Sequence, residues 1–125
     1  MDKLHPGEMS PQQGARVFCT QLPHHKDSAT GAFVPSFNLT TAYEFGDVIV
    51  MMPPRAAYIG TAKLVEQLTE KLQDYDYDRG DMLLLLGDPS IVAAAVAVVA
   101  RRNTRFGVLR WEKNLGRYTA VRFFI

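Results

Sequence analysis

Cysteine is almost missing from this chain. Cys19 stands alone, so no intramolecular disulfide can form, and a zinc centre built on paired thiolates is excluded. Histidine is confined to residues 5, 24 and 25, which leaves the rest of the sequence without the side chain that most often serves as a general base near neutral pH. Net charge is small as well: 14 Lys plus Arg against 13 Asp plus Glu give +1, and no global field steers the protein toward nucleic acid or an anionic membrane. Long apolar runs are lacking. Residues 91–100 would rise only about 15 Å as a helix, roughly half the hydrocarbon core of a bilayer, so no membrane partner is expected. Neither G-x-x-x-x-G-K-[ST] nor G-x-G-x-x-G occurs, which removes both phosphate-loop fingerprints.

What is present suits a packed domain, since 47% of the 125 residues are hydrophobic. Residues 1–14, with Pro6, Gly7, Pro11 and Gly14, contain neither a helical pattern nor the apolar core of a signal peptide, and read as a flexible arm before a single α/β domain over 15–125. Residues 16–21 have the content of a short strand, and "AFVPSF" suggests a loose hairpin with the segment around His24. "DVIVMM", residues 47–52, reads as an interior strand stopped by Pro53-Pro54. Leu64, Val65, Leu68 and Leu72 form one stripe of a surface helix over 61–74. The run Met82 to Leu86 predicts a strand buried on both faces. Residues 89–102, apolar nearly all round, predict an enclosed helix, with Asp88 as N-cap and Pro89 at its first position. "RFGVLRWEK" and "RYTAVRFFI" are strands joined through "KNLG", where Asn114 and Gly116 are able to take positive φ. Strands alternating with helices imply right-handed crossovers. The expected fold is a three-layer α/β sandwich: a mixed, mostly parallel sheet of about five strands, two main helices and a C-terminal antiparallel edge hairpin.

Ligands in open α/β sheets settle beyond the carboxyl ends of strands, so a candidate small-molecule or nucleotide site lies where "MMPPRAAYIGT" and "GDPS" approach. Arg55, Tyr58, Thr61, Asp88 and Ser90 are its polar groups. No nucleophile paired with a base emerges from them. The Asp88 carboxylate also occupies the positive pole of the helix that a phosphate would need. "DYDYDRGD" imitates a calcium loop but has Arg79 and Leu85 where an EF-hand wants Gly and Glu, and reads as a solvated acidic loop. Arg101, Arg102, Arg105, Arg110, Lys113, Arg117 and Arg122, against Glu112 alone, are interleaved with Trp111 and other aromatics, which makes a nucleic-acid or partner surface a further candidate. Strand alternation puts Arg110 with Val108 and Trp111 with Leu109, dividing charge from aromatics. His24 and His25 are adjacent loop residues poorly placed to share one metal, and Cys19 reads as an inert thiol. No metal or cofactor is expected.

The stretches "TGAFVPSFNLTTAYEFGDV", "LLLLGDPS" and "LRWEKNLGRY", within a pattern spanning residues 16–124, resemble small proteins encoded in bacteriophage genomes. No activity is attached to that group, so the resemblance implies a viral origin and a fold, and carries over no functional residues. The combined expectation is a phage-encoded, non-enzymatic protein-binding domain in the cytoplasm of the infected cell. It would self-associate or engage a host protein through the apolar edge "AVRFFI". The crevice ligand and the nucleic-acid surface remain alternatives.

Overall fold

The computed structural model describes residues 14–56 and 59–125, so the arm before Gly14 and the side chain of Tyr58 lie outside the described residues. Strand β1 (Arg16–Gln21) leads into the antiparallel pair β2 (His24–Lys26) and β3 (Phe33–Pro35) and a 3-10 helix (Thr40–Phe45). There follow β4 (Asp47–Met52), α1 (Thr61–Lys71), β5 (Met82–Leu84), α2 (Pro89–Arg102), β6 (Arg105–Glu112) and β7 (Arg117–Phe124). The main sheet runs β4-β1-β5-β6-β7, parallel at every junction except the last, where β6 and β7 form the antiparallel edge hairpin. This is the α/β arrangement expected from the sequence.

Handedness places the layers. The chain leaves β1 toward β4 and then returns across β1 to β5 and β6, so right-handed crossovers must put the two excursions on opposite faces. Phe18 and Leu83 accordingly pack on Leu64, Leu68, Ile91, Ala95 and Val99 of the two helices. Val17, Cys19, Leu84, Leu109 and Tyr118 pack under Ala42 of the 3-10 helix. One cover is two full helices and the other a single short turn. In α1 the buried stripe is Leu64, Leu68 and Leu72, each contributing about 1.5–3 kcal/mol of burial, while Val65 is 37% exposed.

Several expectations need correction. Strand β4 is an edge strand, since β1 is its sole neighbour in the sheet, and its apolar residues are buried only at Met51 and Met52. The ladder of β5 stops at Leu84 because the Thr20 hydroxyl, accepting from Leu86 N at 2.8 Å, replaces a backbone partner. Helix α2 is not enclosed, since Ala93 and Ala97 face solvent. Among the described residues only glycines take positive φ, so Gly116 (φ 63°) turns the hairpin without Asn114.

The acidic segment after α1 is solvated at Asp74, Asp76 and Asp78 but not at Asp81. Asp81 is fully buried, its Oδ1 accepting from Arg16 N at 2.9 Å and Arg79 Nε at 3.1 Å, its Oδ2 from Asp76 N at 3.0 Å and Arg79 Nη2 at 2.5 Å. Tyr75 turns inward, donates to Asp81 O at 3.1 Å and accepts from Gly107 N at 3.0 Å. Burial pushes its phenol up to about 12. The alternating aspartates thus fold around their last member, whose carboxylate ties the start of β1 to the start of β5.

Candidate functional site

The crevice expected at the carboxyl ends of β4 and β5 is closed by the side chain of Gln21, the last residue of the strand between them. Its Oε1 accepts from Asp88 N at 2.9 Å, and its Nε2 donates to Pro53 O at 2.9 Å and Pro54 O at 3.0 Å. Gly87, at φ 94°, lies so close to Gln21 that a Cβ would collide with the amide. Backbone and side chain therefore occupy the space where a ligand was expected. Arg55 and Thr61 are exposed, and Ser90 is exposed at the start of α2. Among the described residues, Arg55, Thr61, Asp88 and Ser90 do not line the cavity described below.

Asp88 caps α2, accepting from Ser90 N at 2.9 Å and from the Ser90 hydroxyl. The Ser90 side-chain bond, and then its backbone bond, hold the Asp88 carboxyl below its usual range. A depressed pKa means that the cap contributes fully above the unfolded-state value and is lost as pH falls through the folded-state value. Asp88→Ala is therefore expected to lower the melting temperature modestly at pH 7 and to leave it unchanged in strong acid. Parallel thermal melts of both proteins across that range check this.

An open cavity does exist at the carboxyl edge of the sheet, one strand further along. Only Leu83 and Leu84 of β5 pair with β6, opposite Val108 and Leu109, and β6 continues to Glu112 without a neighbour on that side. The notch so formed has a volume of about 590 Å³, lined by residues 36–38, 84–86 and 108–111 with Tyr118, Val121 and Phe123. Its walls are mostly apolar, and Trp111, packed edge-on against Tyr118 at 5.1 Å between centroids, stays 48% exposed. Burial raises the Tyr118 phenol above its ordinary range, with Cys19 adding to the effect. The cavity lies at the carboxyl edge of the sheet, the edge the sequence reading pointed to, but one strand further along. What the sequence hid was the short ladder of β5, although a leucine run outlasting its strand and an exposed tryptophan were there to be read.

The basic segment is distributed. Arg105 pairs with Asp78 at 2.9 Å, Arg110 with Glu112 at 2.8 Å and Arg117 with Glu44 at 2.5 Å, while Arg101 reaches the Thr69 hydroxyl at 3.4 Å. Alternation puts Arg110 on the helix side with Val108, and Arg122 on the opposite side with Ala120. Arg102 and Lys113 are exposed. The seven cations are thus divided between the two faces of the sheet, Arg122 on the side of Trp111 and Arg110 on the other.

His24 Nδ1 contacts Leu22 O at 2.8 Å, and His25 Nδ1 contacts the Ser36 hydroxyl at 3.1 Å, so both rings serve the β2–β3 hairpin. Cys19 is buried, which pushes its thiol up to about 11, opposite to what a nucleophile needs. Among the described residues no group of three or more His, Cys, Asp or Glu side chains converges as a metal site. None of their helices is long and apolar enough to cross a membrane.

No curated protein and no solved structure matches the chain. A family model of phage proteins does, and it runs from Ala15, just before β1, through the sheet, both helices and the terminal hairpin to Ile125. With residues 15–125 matched, the protein belongs to the Phage Pam3 gp32-like protein family.

Proposed function

We propose that this phage protein acts by binding another protein chain rather than by catalysis, and that its partner is a second copy of itself, joined through β7. The observation that carries the reading is the free side of that strand. Among the described residues, the eight of Arg117–Phe124 are paired with β6 on one side only, and Phe123, Phe124 and Ile125 are 43, 71 and 67% exposed. Ile125 N donates to Thr104 O at 2.8 Å, which keeps the end of the strand extended and its outer hydrogen-bonding groups in line. A long edge with exposed apolar residues is a template for strand addition. The opposite edge suits this less, because β4 has six residues and runs directly into Pro53-Pro54.

Pairing of two β7 strands would join two five-stranded sheets into one. Light scattering during size-exclusion chromatography is expected to give a dimer. Phe124→Lys combined with Ile125→Lys, placing charge on an edge already solvent-facing, is expected to give a monomer with an unchanged circular dichroism spectrum. A wild-type protein that stays monomeric at every concentration removes the proposal, whether or not the same edge captures a host protein.

A further inference from the structure

We infer that the notch beyond β5 is a binding site for a small organic carboxylate with an apolar body. Its volume of about 590 Å³ falls within the span of roughly 300–1,000 Å³ that small-molecule pockets occupy. Leu85, Val108, Val121 and Phe123 give it apolar walls, which favour a hydrocarbon or aromatic body over water.

The head group follows from the polar rim. Among the described residues no aspartate or glutamate lines the cavity, and Arg110 is its only ionised side chain. The other rim groups offer mainly donors. Asn38 Oδ1 is already engaged by Thr40 N at 2.9 Å and by the Thr40 hydroxyl at 2.5 Å, which leaves its amide hydrogens for a guest. Trp111, whose indole N–H only donates, and Tyr118 line the notch from the other face of the sheet, so the charge recognition rests on Arg110. A carboxylate pairs with that guanidinium, whereas an ammonium group would meet a like charge.

Arg110 is held but not used up. Its Nε and Nη2 both reach one oxygen of Glu112, at 2.9 and 2.8 Å. The pair is largely exposed, with Arg110 at 65%, and exposed pairs of this kind hold together weakly. Of the five N–H groups of a guanidinium, those on Nη1 stay available. A bound carboxylate and Glu112 therefore compete for the same cation, which gives the proposal a signature that simple greasiness lacks.

Decanoate, 1-decanol and decylamine, each below its aggregation threshold, are the probes, and the readouts are isothermal titration and thermal shift. Decanoate is expected to bind saturably, more tightly than decanol, with decylamine weakest. Arg110→Gln should weaken decanoate about tenfold or more, the worth of one charge-assisted hydrogen bond, and leave decanol unchanged. Glu112→Gln should tighten decanoate, and Val121→Trp, which fills the notch, should abolish binding of both. Arg110 and Glu112 are surface residues, so their variants report on recognition and not on folding. Absence of decanoate binding, equal affinity for decanoate and decanol, or indifference to Arg110→Gln overturns the proposal. Repeating the titration with the Phe124→Lys/Ile125→Lys protein separates it from self-association: binding should persist there.

Discussion

Asp81→Ala is expected to lower the unfolding free energy by about 3–5 kcal/mol, the cost of breaking a buried ion pair by removing one partner. The carboxylate is fully buried and is the acceptor for two backbone amides, Arg16 N and Asp76 N, as well as for the Arg79 guanidinium. Alanine leaves those amides without their side-chain acceptor. Arg79, with its side chain 31% exposed, recovers solvation more easily than the amides do. Arg79→Ala is accordingly expected to cost less than Asp81→Ala, because the carboxylate keeps its backbone donors. Hydrogen bonding to Asp81 raises the Arg79 guanidinium further above its ordinary value, which favours its charged form. Urea unfolding followed by far-UV circular dichroism gives the ordering, and a loss below about 1 kcal/mol for Asp81→Ala would refute the assignment, since that is the worth of a surface pair.

Gln21→Leu is expected to cost about 2–4 kcal/mol, because it keeps the bulk of the side chain and strips its polar end, leaving Asp88 N and the two proline carbonyls unsatisfied. Gly87→Ala tests the same junction from the other side. The residue sits at φ 94°, and its new methyl group would meet the Gln21 side chain. Combining Gly87→Ala with Gln21→Ala removes the clash with the Gln21 amide, but not the close approach to its Cβ or the backbone strain. A double-mutant cycle should therefore show the two changes costing less together than their sum, by about 0.5–3 kcal/mol. Strict additivity would mean that the amide does not fill the crevice.

The contrast between these two sites shows what a sequence discloses. Periodicity and capping signals are local, and they succeeded where structure is local: Asp88 and Pro89 begin α2, Gly116 closes the β6–β7 turn, and Leu64, Leu68 and Leu72 mark the buried stripe of α1. The failures are long-range. Gln21 reads as an ordinary strand terminus until Pro53, Pro54 and Asp88 are brought to it from 32 to 67 residues away. Asp81 reads as one of several solvated carboxylates until Arg16 arrives from 65 residues away. The apolar content of β4 suggested a central strand, yet β4 is an edge strand whose Ile49 and Val50 stay 37 and 43% exposed, so apolar content did not mark burial there. The candidate cavity was hidden for a related reason, since where a strand loses its neighbour depends on how far each partner extends.

The central position of β1 has a consequence for the chain as it is made. Val17 lies between Val48 and Met82, so β1, the first of the described strands to be made, meets its two neighbours only when segments about thirty and sixty-five residues later have followed it. The β6–β7 hairpin, by contrast, needs only its own turn to form. Until β5 is made, one side of "RVFCTQ" stays open, an apolar ribbon that must not find another partner first.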